Sequence, residues 1–168
     1  MYSNYYNMFD EYYNFNNPFY RNNNEKFKSG EILTLNEAIE SIRESVGDER
    51  EDELFYDTII MQAPTEKDKN IIISIRDDER KHNKILRELY YEFTGKQLPH
   101  DNSVKKQNNM DYKHNLEKAL FGELKAVERY RKIMSTMPQG KSYNLLMSIM
   151  TDELMHADKY NFLISALK

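Results

Sequence analysis

The chain contains no cysteine and no tryptophan. Without thiols there is no disulfide framework, no cysteine nucleophile, no thiolate-ligated zinc and no iron–sulfur or all-cysteine iron site. Proline and glycine are scarce, at 4 and 5 of 168 residues, so the few present read as punctuation. No apolar run approaches the length that spans a bilayer, and the N-terminus lacks a signal-peptide core. A membrane partner is therefore not expected, and the cytoplasm is the expected compartment. No basic run stands out and the net charge is -4, which argues against nucleic acid as the main partner.

What is present is 31% charged and 39% hydrophobic, enough for one domain with a modest core. Much of the apolar count is Tyr (13), Met (9) and Phe (8). Residues 1–31 differ from the remainder: "MYSNYYNMFDEYYNFNNPFYRNNNEKFKSG" mixes Tyr, Phe and Asn with Pro18 and Gly30. Such a polar–aromatic tract reads as a loosely docked tail, or as a self-association or surface-attachment segment. Residues 32–168 form the expected domain.

From Thr34 the pattern is helical. Thr34 with Glu37 makes a capping box, and Leu35, Ile39, Ile42, Val46, Glu49, Glu53, Tyr56, Ile60 and Ala63 recur at steps of three and four. Pro64 ends this helix and Thr65 caps the next, whose stripe is Ile72, Ile75, Glu79, His82, Leu86, Leu89 and Phe93, with Gly95 as the stop. After the polar stretch "KQLPHDNSVKKQNN", a third stripe runs Leu116, Leu120, Glu123, Val127, Tyr130, Met134, Met137 and stops at Pro138. A fourth runs Leu146, Ile149, Glu153, His156, Tyr160, Leu163, Leu167. The expected fold is all-α: a four-helix bundle of two tight hairpins. A linker of roughly 15 residues reaches about 50 Å and a thirty-residue helix is about 45 Å long, so the linker can travel the full bundle as a long crossover.

The two hairpins repeat at an offset of 74 residues. Glu49 meets Glu123, Tyr56 meets Tyr130, Pro64 meets Pro138, and Asp78, Glu79 and His82 meet Asp152, Glu153 and His156. Pro64 lies fifteen residues from both Glu49 and Glu79, and Pro138 fifteen from both Glu123 and Glu153. In an antiparallel pair, residues equidistant from the turn sit level, here about 22 Å from it. His82 and His156 follow Glu79 and Glu153 by three and share their face. Docking the hairpins core to core brings four carboxylates and two imidazoles together near mid-bundle.

Four buried carboxylates need compensation. Their charge of -4 matches two divalent cations, with neutral imidazoles completing the shell. Mixed oxygen and imidazole donors suit iron or manganese. The motif Asp-Glu-x-x-His, twice, each thirty residues after a stripe glutamate, carries the chemistry. His100 in the linker and His114 near the third helix start are expected in solvent.

On Glu49, Asp78-Glu79-x-x-His82, Glu123 and Asp152-Glu153-x-x-His156, the chain from about Leu35 to Leu167 resembles the ferritin-like superfamily, most of all its rubrerythrin-type dinuclear-metal branch. That resemblance implies a ferritin-like bundle with Glu79 and Glu153 as bridging ligands, Glu49 and Glu123 as terminal ones, and one histidine per metal. Asp78 and Asp152 would accept from histidine N–H groups. Tyr56 and Tyr130 are expected as core filling, with a hydrogen bond to a ligand as the other reading. Glu53, on the same stripe, is either an extra ligand or a group that reaches water. The implied cofactors are two iron ions, or manganese, with no haem, flavin or iron–sulfur cluster.

The implied function is reduction of hydrogen peroxide or dioxygen. A ferroxidase, a manganese catalase, or a metal-stabilised assembly protein using the aromatic tail stand as alternatives. Relatives often pair, so a homodimer is an expectation. Two departures stand out. Rubrerythrins proper carry a four-cysteine rubredoxin domain, so here the electron donor would be external. An extra Glu usually follows the third-helix ligand by one turn, where this chain has Ala126.

Overall fold

The computed structural model describes residues 33–99 and 110–167. The tail at 1–31, most of the linker and His100 fall outside them. Among the described residues there are four helices and no strand: α1 (Leu35–Gln62), α2 (Glu66–Thr94), α3 (Tyr112–Thr136) and α4 (Lys141–Ala166). Local signals in the sequence set their ends. Thr34 accepts from the Glu37 backbone while the Glu37 carboxylate accepts from the Thr34 backbone at 2.8 Å, closing the expected capping box. Thr65 and Asp111 cap α2 and α3 through their side chains. Gly95 closes α2 at φ 67°, in the left-handed region that glycine enters without penalty.

Hairpins α1–α2 and α3–α4 pack side by side, with α1 against α3 and α2 against α4. Hydrogen bonds fix the directions. Along α1 and α3, Tyr56 pairs with Glu123 and Tyr130 with Glu49, so these helices are antiparallel. Along α2 and α4, His82 pairs with Asp152 and His156 with Asp78, again antiparallel. Helices α2 and α3 are therefore parallel. The end of α2 lies beside the start of α4, where Lys141 pairs with Glu92. The start of α3 lies beside the end of α1, where the Gln62 amide donates to the Met110 carbonyl at 2.8 Å. The connection between α2 and α3 thus joins opposite ends of the bundle, which is the crossover topology.

The core divides in two along the bundle axis. One apolar cluster holds Ile42, Val46, Leu86, Leu89, Ile133, Leu146 and Ile149. The other holds Tyr56, Ile59, Ile72, Ile75, Leu116, Tyr160 and Leu163. On every helix the glutamate and histidine positions fall between these two clusters.

The core faces of α2 and α4 agree with the sequence stripes from Ile72 to Leu89 and from Leu146 to Leu163. On α1 the buried face runs through Ala38 and Ile59 instead of Ile39 and Ile60, and Leu35 is exposed. On α3, Ala119 takes the place expected of Leu120. Steps of three and four fit a 3.6-residue period equally well, so neighbouring apolar residues compete for one stripe until packing chooses.

Leu116 is fully buried between helices. Truncating it in Leu116→Ala is expected to lower stability by about 2–5 kcal/mol with helix content retained. Urea denaturation followed by far-ultraviolet circular dichroism checks this.

Candidate metal centre

Glu49 comes from α1, Glu79 and His82 from α2, Glu123 from α3, and Glu153 and His156 from α4. All six are at most 4% exposed. Their ligand atoms gather into two groups, each within 4.8 Å: Glu49, Glu79, His82 and Glu153, and Glu79, Glu123, Glu153 and His156. Glu79 and Glu153 belong to both.

The oxygens explain this sharing. Glu79 turns Oε2 toward His82 Nδ1 at 3.3 Å and Oε1 toward His156 Nδ1 at 3.2 Å. Glu153 turns Oε1 toward His82 Nδ1 at 3.2 Å and Oε2 toward His156 Nδ1 at 3.4 Å. Each of these carboxylates thus spans the two positions. Glu49 serves only the first, with Oε2 at 3.4 Å from His82 Nδ1, and Glu123 only the second, with Oε2 at 3.5 Å from His156 Nδ1. The two imidazoles stack with ring centroids 5.7 Å apart.

A second layer of side chains holds this arrangement, and it crosses between hairpins. Tyr56 of the first hairpin donates to Glu123 Oε1 at 2.6 Å, and Tyr130 of the second donates to Glu49 Oε1. Each terminal glutamate therefore has one oxygen occupied by a phenol and the other facing the centre. Both phenols are pushed well above their usual range, first by burial and then by the adjacent glutamate, so they keep the proton they donate. His82 Nε2 lies 3.2 Å from Asp152 Oδ2, and His156 Nε2 lies 3.3 Å from Asp78 Oδ2. A proton on Nε2, shared with the aspartate, leaves Nδ1 as the lone-pair donor toward the centre.

Four inward atoms, Glu49 Oε2, Glu79 Oε1, Glu153 Oε1 and His156 Nδ1, are buried without a hydrogen-bond partner. Buried acceptors without donors are costly, and a cation satisfies several at once. The donor set fits two hard-to-borderline divalent ions: carboxylate oxygens and imidazole nitrogens with no sulfur.

Without cations the cluster holds protons. Burial and neighbouring carboxylates push Glu79 and Glu153 well above the usual range. Burial opposes charging of His82 and His156, but the surrounding carboxylates outweigh it and raise both, His156 to about 9. Glu49 is held below its ordinary value. Burial raises it, but the neighbouring Glu79, His82 and Tyr130 prevail.

The other candidates settle individually. Glu53 belongs to neither group of ligand atoms; Arg50 holds it, and Arg80 donates to it at 2.7 Å. The reading of Glu53 as an extra ligand is therefore corrected, because two guanidinium groups already neutralise it. His114 is exposed. Sequence reasoning passed over Asp52, one position before Glu53; it too belongs to neither group of ligand atoms, although burial and then Glu123 and Glu49 push its carboxyl well above the usual range. That reasoning also gave no site role to Tyr160, fully buried with its ring centroid 5.5 Å from that of Tyr56.

No protein-family model and no curated protein matches the chain. Among solved structures it is similar to a hypothetical protein from Pyrococcus furiosus, at TM-score 0.67 and 19% identity, over 79% of this chain and 94% of that one. At that identity the likeness concerns the fold alone.

Two outcomes follow from the protonation pattern. His156 binds its proton in the folded chain up to about pH 9 and in the unfolded chain only to its ordinary 6.5. Its stabilisation is complete below 6.5 and is lost as pH rises toward 9, and the raised Glu79 and Glu153 act with the same sign. The metal-free protein should therefore melt at progressively lower temperature from pH 6.5 to 9, while affinity for divalent metal rises over the same range as protons leave the ligands. Calorimetric melts with and without Mn²⁺ check both; a metal-free melting point that climbs with pH overturns the assignment. Because the aspartate support crosses hairpins, Asp152→Asn should weaken the ion position of His82, with about a tenfold to hundredfold loss of affinity. Co²⁺ absorption titrations read that change.

Proposed function

We propose that this chain is a ferritin-like protein of the rubrerythrin type that holds two iron ions and reduces hydrogen peroxide or dioxygen. The observation that carries this reading is that Glu79 and Glu153 each direct one oxygen to each of the two histidines. One glutamate and one histidine complete each position. A pair of ferrous ions, when bound, supplies two electrons to one O–O bond.

The protein's own groups do the rest. Tyr56 and Tyr130 pin the terminal glutamates by one oxygen, which fixes where the second oxygen points. Asp78 and Asp152 orient the imidazoles and make their Nδ1 atoms more basic. The apolar clusters above and below limit water, which strengthens electrostatic contacts inside. With no cysteine in the chain, electrons for a second turnover come from a separate donor. No helix among the described residues is long and apolar enough to cross a membrane.

Metal content of anaerobically isolated protein, followed by rapid mixing with peroxide and with dioxygen, tests the proposal. Two irons per chain, oxidised faster by peroxide, support the peroxidase reading. Faster oxidation by dioxygen points to a ferroxidase, and two manganese ions with oxygen evolution to a catalase. Replacing both shared ligands, Glu79→Ala with Glu153→Ala, should remove bound metal and leave the helices intact. Retention of both ions by that variant sinks the ligand assignment.

A further inference from the structure

Among the described residues, large apolar side chains stay exposed at Leu35, Met61 and Tyr91, singly and near helix ends, and at four places on α4. Those four are Met147, Leu154, Met155 and Phe162, each between 42% and 47% exposed. Steps of seven, one and seven residues put them on one side of the helix. Helix α4 packs on α3 and α2 and not on α1, so this side looks away from the bundle. The repeat shows what a solvated helix carries at the same places. Arg80, Lys81 and Glu88 of α2 correspond to Leu154, Met155 and Phe162, and all three are exposed. One hairpin keeps charge where the other has exchanged it for apolar surface. A contiguous exposed patch of that kind marks a contact site.

The order of residues along that face says what covers it. Take two copies of α4, antiparallel, related by a two-fold axis that passes between positions 154 and 155. Residues equidistant from that point in sequence then stand level across the pair. Leu154 meets the partner's Met155, and Met147 meets the partner's Phe162. No other centre pairs all four apolar residues with one another. Between them Thr151 meets the partner's Asp158, both exposed in the single chain. Thr151 brings a hydroxyl level with that carboxylate, a donor that in the single chain turns back to the Met147 and Ser148 carbonyls at 3.0 and 2.8 Å. Apolar groups thus meet apolar groups, and the acid in the seam does not meet a second acid. The face is complementary to itself.

We propose that two copies of this chain pair through the outer face of α4, antiparallel, about an axis between Leu154 and Met155. The contact is isologous, each copy giving the same patch. Met147 and Met155 are unbranched and adapt to the opposing surface. Lys67 of α2 keeps its ammonium 4.6 Å from the Phe162 ring centroid, a charged rim where the patch borders α2. The axis passes behind Glu153 and His156, which reach from the same turn of α4 into the buried cluster. Pairing therefore braces the helix that carries two of the six buried groups, and it sets the two clusters back to back. The proposal stands on the exposed face alone and holds whether or not metal binds.

Sedimentation of the full-length chain over a dilution series tests this. The expected wild-type species is a dimer. Leu154→Glu or Met155→Lys places a charge in the apolar seam and should raise the dissociation constant by about thirtyfold or more. Both positions are exposed in the single chain, so circular dichroism should show helix content unchanged in either variant. The register makes a sharper demand. Mixed together, the two variants should form a heterodimer, because the new acid of one chain stands level with the new base of the other. A wild-type chain that stays monomeric overturns the proposal and leaves the face to a different occupant. Variants that remain dimers when kept apart place the interface elsewhere and overturn it too. Variants that stay monomeric when mixed overturn the antiparallel register.

Discussion

Six ionisable side chains share a buried layer midway along a four-helix bundle, and the need to neutralise them governs the structure around them. Four carboxylates brought within a few ångströms of one another repel and lose their hydration. The metal-free protein answers with protons, raised on Glu79, Glu153 and both imidazoles. Two divalent ions would answer with the same total charge. Either way the layer carries close to no net charge, which is the condition for burying it.

That layer is held from outside by a network in which neither hairpin is self-sufficient. Tyr56 and Asp78 belong to the first hairpin but serve Glu123 and His156 of the second, and Tyr130 and Asp152 return the same contacts. A single hairpin has two glutamates and a histidine, but no phenol or aspartate placed to orient them. Docking of the hairpins and completion of the site are therefore one event. The apolar clusters on either side, rich in Ile and Leu, supply the burial that drives docking.

The crossover is part of the same logic. Antiparallel pairing of α1 with α3 places each tyrosine opposite the other hairpin's glutamate. Reversing one hairpin would match tyrosine with tyrosine and glutamate with glutamate, leaving the phenols without acceptors. Two hairpins in the observed orientation leave the end of α2 and the start of α3 at opposite ends, so the connection has to run the bundle's length.

The sequence by itself determined the helices, the caps at Thr34, Thr65 and Gly95, the two turns and the six converging side chains. Each of these depends on local pattern: a capping residue, a proline, a spacing of three or fifteen. It determined the faces of α2 and α4 as well, because Glu-x-x-His and the flanking isoleucines and leucines allow one stripe. On α1 two adjacent residues fit the period at several turns, as Ile39 with Ala38 and Ile60 with Ile59 show. Packing decided the place of Glu53, which Arg80 of α2 and Arg50 of α1 hold outside both groups of ligand atoms. Which aspartate supports which histidine, and that both tyrosines bind the buried glutamates, was likewise decided in three dimensions. Those contacts join residues 67 to 81 positions apart, and a helical period carries no information across such a distance.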